Sequence, residues 1–126
     1  MTLAPRRWAA EILHFWFHTL TPADWYGGGE AVDEALRERF AREWHALRHR
    51  PARKFLTDRR TARAAILLFD QVPRNLFRDS RMAFASDPLA LQLCRETIAR
   101  GWHSGLSREA IQFVAMPLMH SEDICD

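Results

Sequence analysis

Residues 64–78 read AAILLFDQVPRNLFR. An apolar run from Ala64 to Phe69 passes directly into Asp70, Gln71, Val72, Pro73, Arg74, Asn75, Leu76, Phe77 and Arg78. The run belongs in a core, yet it ends in a dense polar cluster. Polar groups of this kind are costly to bury unless they are paired. Pro73 has no amide hydrogen, and its ring clashes with the carbonyl of Phe69 in an ideal helix. The helix is therefore expected to end or kink here. On an unbroken helix Asp70, Arg74 and Arg78, at i, i+4 and i+8, share one face. At a kink, the Phe69 and Asp70 carbonyls become free acceptors. In either case guanidinium groups meet irregular backbone, an arrangement suited to an anion. Two readings stand side by side: a structural lock, in which Asp70 pairs with Arg74 or Arg78 and Asn75 caps a broken helix end, and a ligand site.

Outward from this stretch, helical periodicity dominates and strand signals are nearly absent. Trp8, Ile12, Phe15, Trp16 and Thr19 form one stripe of a helix predicted over residues 5–19. Thr21-Pro22 and the glycines at 27, 28 and 29 mark a loop. Val32, Leu36, Phe40, Trp44 and Leu47 recur at helical spacing over residues 30–48, and Pro51 stops that helix. A third helix is predicted over residues 61–71. A fourth has Asp87 as N-cap, Pro88 as first residue and Gly101 as its stop. A fifth starts after Ser107 and reaches Ala115 or Met116. Phe69-x-x-x-Pro73 and Phe113-x-x-x-Pro117 lie 44 residues apart, a spacing suggestive of repeated helical hairpins. The expected fold is all-α: one domain over residues 1–126, built from five or six helices paired antiparallel. Most aromatics fill the core. Trp25 and Trp102 lie outside the stripes and are the two expected to line a cleft.

The bulk numbers exclude several classes. At 126 residues with 48% hydrophobic and 27% charged residues, the chain is an ordinary globular domain. No apolar run reaches the roughly 18 residues that span a bilayer, and Glu11, His14 and His18 interrupt what would be a secretory signal. A cytoplasmic location is expected. Cys94 and Cys125 fall in no metal-ligand pattern and are expected to be reduced. Residues 42–63 carry a local balance of +6. They hold no nucleic-acid motif and little interleaved aromatic character, so a solvated face is expected there and not nucleic-acid binding. The glycine run does not follow a strand and has no lysine after it, so it is no phosphate loop.

The other chemically dense stretch is Met116-Pro117-Leu118-Met119-His120-Ser121-Glu122-Asp123. Pro117 again interrupts a helix. Ser121 suits an N-cap, with Glu122 and Asp123 in the first turn, where acids favour the helix dipole. That leaves His120, the side chain most easily used to move a proton near neutral pH. His120 and Asp123 share a face, but two ligands do not make a zinc site, and neither metal nor cofactor is expected.

These segments together resemble the bacterial family catalogued as domain of unknown function 924. The resemblance is carried by Phe15-Trp16-Phe17 with Trp25, Arg39-Phe40, Leu67 to Arg78, Ala83-Phe84-Ala85 with Asp87, and Met116 to Asp123. It implies tetratricopeptide-like helical hairpins and no known activity. It also implies further helices beyond the His120–Asp123 block, so the chain resembles a truncated member, with self-association expected through the face left open. The function expected first is binding of a small anionic or phosphate-bearing ligand by Asp70, Gln71, Arg74, Asn75, Arg78 and Asp123. An enzyme is the second expectation, with His120 as acid or base, Glu122 or Asp123 orienting it and Arg74 stabilising an anion. A protein-interaction module is the third.

Overall fold

Proline chemistry sets the course of the chain. A computed structural model describes the backbone of residues 7–125 and the side chains of residues 7–121. The described residues are all helix, turn and loop, with no strand among them. In order they form α1 (Arg7–His14), continued as a π-turn over Phe15–Thr19; α2 (Pro22–Gly27); α3 (Glu30–Leu47); α4 (Arg59–Ile66), continued as a π-turn over Leu67–Gln71 and then α5 (Val72–Leu76); α6 (Asp87–Ala99); and α7 (Arg108–Cys125). Short 3₁₀ turns at Ala52–Phe55 and Arg81–Phe84 join them. Taking α4 to α5 as one rod gives six helical rods, in keeping with the all-α expectation.

Pro73 does not end its helix. The chain widens into the π-turn just before it, and the Val72 N–H donates to the Leu67 carbonyl, five residues back. The extra residue absorbs the bend that a proline ring forces on its preceding turn. The Phe69 carbonyl, which lost the Pro73 amide, accepts from the Ser86 hydroxyl at 2.6 Å. The Ser86 oxygen in turn accepts from Trp44 Nε1 at 3.0 Å. The Asp70 carbonyl accepts from Arg74 Nη1 at 2.6 Å. Both carbonyls freed at the kink thus find side-chain donors.

The first rod is bent in the same manner. Leu20 N–H donates to the Phe15 carbonyl, and the Trp16 carbonyl accepts from Trp25 Nε1 at 2.8 Å. The inserted residue shifts the buried stripe, so Leu20 closes it and Thr19 is exposed. The chain after Thr21 is helical where a loop was expected. Thr21 and Asp24 form a reciprocal capping box, with Pro22 in the first turn. A second correction concerns Pro117, which lies inside α7 rather than at its end. Ser121 is consequently an interior residue of that helix and not an N-cap.

The core joins α1, α3, the α4–α5 rod, α6 and α7. Trp16, Phe40, Trp44 and Phe69 are almost fully removed from solvent, each burial contributing roughly 2–3 kcal/mol. Edge-to-face pairs such as Trp16–Phe113 and Phe55–Phe69 lock their rings. No described helix is long and apolar enough to cross a membrane. Cys94 is a free, buried thiol, its pKa pushed up by burial. Cys125 lies outside the residues whose side chains are described.

Candidate functional site

The π-turn carries Asp70 into the middle of the fold, where its side chain is 1% exposed. A buried carboxylate must be hydrogen-bonded to remain charged. Asp70 Oδ2 accepts from Gln71 Nε2 at 2.9 Å, and Oδ1 accepts from His120 Nδ1 at 2.8 Å. Arg74 Nη1 approaches Oδ1 more loosely, at 3.4 Å. The stronger commitment of Arg74 is to Asp87, with Nη1 at 3.0 Å and Nη2 at 3.1 Å from its two oxygens. This fork-on-fork pairing fixes both groups. Asp87 was expected as an N-cap. It sits in the first turn of α6 after Ser86, with its carboxylate turned to Arg74 and the Ser86 hydroxyl turned to Phe69.

His120 comes from α7, fifty residues away in sequence. Its side chain is 24% exposed. With a carboxylate on Nδ1, the neutral ring carries its proton there, and Nε2 is left as an acceptor. Among the described residues Nε2 has no hydrogen-bond partner. His120, Asp70 and Asp87 line a cleft of about 330 Å³ together with Phe84, Pro88, Leu91, Pro117 and Ser121. The walls are mainly apolar. Phe84 is exposed beside it, with the Arg74 guanidinium 5.3 Å from its ring centre.

Of the six residues expected to bind a ligand, the five with described side chains separate into two groups. Asp70, Gln71 and Arg74 join His120. Asn75 and Arg78 turn away to Asp33, near the start of α3. Asn75 Nδ2 donates to Asp33 Oδ1 at 2.8 Å, and Arg78 Nε and Nη2 reach its two oxygens at 2.6 and 3.0 Å. Desolvation alone would raise the Asp33 pKa. The hydrogen bonds from Arg78 and Asn75 and the charges of Arg78 and Arg37 outweigh it and hold the carboxyl below its usual value. Asn75 therefore clamps two helices and does not cap a broken end. Gly28 has φ +62°, and a Cβ there would stand 2.8 Å from Arg78 Nη2, so glycine admits the guanidinium to this corner. Glu122 and Asp123 lie outside the residues whose side chains are described.

Sequence reading missed Asp87, Asp33 and Ser86 as partners of this region, because each comes from a distant segment. Of the two loop aromatics, Trp25 lines a groove and Trp102 lies beneath Arg100, 5.2 Å from its ring centre. Among the described residues no three His, Cys, Asp or Glu side chains converge as a metal set.

Comparison with known proteins agrees with the all-α fold. A family model described as bacterial protein of unknown function (DUF924) matches residues 12–126. One solved structure, a protein of unknown function, ATU0120 from Agrobacterium tumefaciens, superposes with a TM-score of 0.84 at 34% identity. The match covers 93% of this chain and 66% of that one. No curated protein matches. The chain belongs to the DUF924 family.

Proposed function

We propose that this DUF924 protein holds a small molecule in the cleft beside His120, and that His120 Nε2 exchanges a proton with it. One observation carries the reading: a buried carboxylate, Asp70, grips Nδ1 at 2.8 Å while Nε2 has no hydrogen-bond partner among the described residues, and His120 lines the cleft. A carboxylate so placed fixes the ring and its tautomer, and stabilises the imidazolium formed when Nε2 takes a proton. Asp70 is the group that supports orientation of the ring. Gln71 and Arg74 position Asp70, and Asp87 positions Arg74. A volume of about 330 Å³ suits a ligand of modest size.

The cleft wall carries two carboxylates, Asp70 and Asp87, and Arg74 is already engaged by both. That balance favours a neutral or cationic ligand here. The anionic or phosphate-bearing ligand has better support next door. There Arg81 joins Arg74 and Arg78, themselves paired to Asp87 and Asp33, around an open depression of about 710 Å³ with Asp79 as its acid.

A ligand-observed NMR screen of neutral, cationic and anionic fragments tests the proposal. Neutral or cationic hits are expected to bind wild type and to be lost in both His120→Ala and Asp70→Asn. Hits that survive both substitutions would place binding elsewhere and defeat it.

A further inference from the structure

A second groove, of about 670 Å³, runs between α1, α4 and the start of α7 and shares no residue with the His120 cleft. Its polar wall is cationic. Arg60 and Arg63 enter from α4, and His14 and His18 from α1 and its π-turn, with Glu109 as the acid among the lining residues. Arg63 is half-buried, yet among the described residues no carboxylate lies within 4.0 Å of its guanidinium. Its contact is the ring of Phe17, 5.8 Å from the guanidinium carbon. Burial and the charges of Arg60 and Arg59 together push its pKa down. The fold thus holds a cation in a place that disfavours it, with no carboxylate at ion-pair distance among the described residues. The histidines add a second oddity. Their rings stack at 5.4 Å, and neither has a hydrogen-bond partner among the described residues. The π-turn that begins after His14 includes His18, and such turns recur where function distorts a helix. Leu13, Phe17 and Trp25 supply an apolar wall.

We propose that this groove binds a small organic anion, a phosphate or carboxylate head on an apolar body, with Arg60 and Arg63 meeting the head and Leu13, Phe17 and Trp25 the body. An anion supplies the missing counter-charge, and a guanidinium pairs with either head through its planar donors. The histidines add ring N–H donors at the rim.

Isothermal titration calorimetry on the full chain tests this with phenyl phosphate, benzoate and inorganic phosphate. At least one organic anion is expected to bind about tenfold more tightly than inorganic phosphate, and the better of the two identifies the head. Arg63→Met should weaken that binding at least about tenfold while its thermal midpoint holds or rises, because an uncompensated charge has gone. Arg60→Gln, at an exposed position, should also weaken binding and remains informative if Arg63→Met does not fold. Arg53→Gln, exposed and outside the groove, should change nothing. No binding of either organic anion, binding no tighter than inorganic phosphate, or equal loss in Arg53→Gln would overturn the proposal.

Discussion

At the scale of single residues, Asp70 and Arg74 hold one another's surroundings together. Arg74 contributes a fork to Asp87, a hydrogen bond to the Asp70 carbonyl and a longer contact to its carboxylate. Removing it strands the Asp87 carboxylate and takes one contact from Asp70, which is 1% exposed and keeps Gln71 and His120. Breaking a buried pair from one side is far worse than never having had it. Arg74→Ala is therefore expected to destabilise the fold by about 3 kcal/mol, read from chemical denaturation. A loss near zero would mean that the network is a surface ornament. Some of this was legible in the sequence. Pro73 announced two free carbonyls, at Phe69 and Asp70, and both accept hydrogen bonds from side chains. The identity of the donor to Phe69 was not legible. Ser86 and Asp87 read locally as the start of a helix, and only the packing of α6 on the α4–α5 rod turns their side chains across to the kink.

At the scale of elements, each of the two π-turns exposes a backbone carbonyl to a side chain and brings polar groups to a recess. Propensity and periodicity cannot show a π-turn, because one inserted residue leaves composition untouched and only shifts the register. The exposure of Thr19 and burial of Leu20 record that shift. The same limit explains why Pro117 was expected to stop a helix that in fact runs through it. A proline bars one hydrogen bond, and neighbouring elements decide whether the helix survives. Ser86 is the brace of the kink at Pro73, linking Trp44 of α3 to the Phe69 carbonyl. Ser86→Ala leaves a buried indole N–H and a buried carbonyl unpaired. It is expected to lower stability by roughly 2 kcal/mol, and to quicken hydrogen exchange at Val72. A thermal midpoint equal to wild type would show that the kink holds itself.

At the scale of the whole molecule, Asp33 ties α3 to the far end of the kinked rod through Asn75 and Arg78. The Asp33 carboxyl is held below its ordinary value. A depressed carboxyl contributes stability that is present above its unfolded pKa of about 4 and is lost as pH falls through the folded value. Wild type should therefore exceed Asp33→Asn in stability near neutral pH, and the gap should narrow as pH drops below about 4. A gap independent of pH would remove the ion pair from the account of stability. Family membership reaches across residues 12–126, while the match to the neighbour from Agrobacterium tumefaciens spans 66% of that longer chain.

The central claim is that Asp70 holds the Nδ1 proton of His120 and leaves Nε2 free to work on the cleft. Long-range proton–nitrogen NMR of the imidazole ring, recorded in alkaline solution for wild type and Asp70→Asn, measures this directly. The geometry predicts a single Nδ1–H tautomer for His120 in wild type, giving way to the ordinary Nε2–H mixture in Asp70→Asn. An Nε2–H tautomer in wild type, or identical spectra in the two proteins, would contradict it.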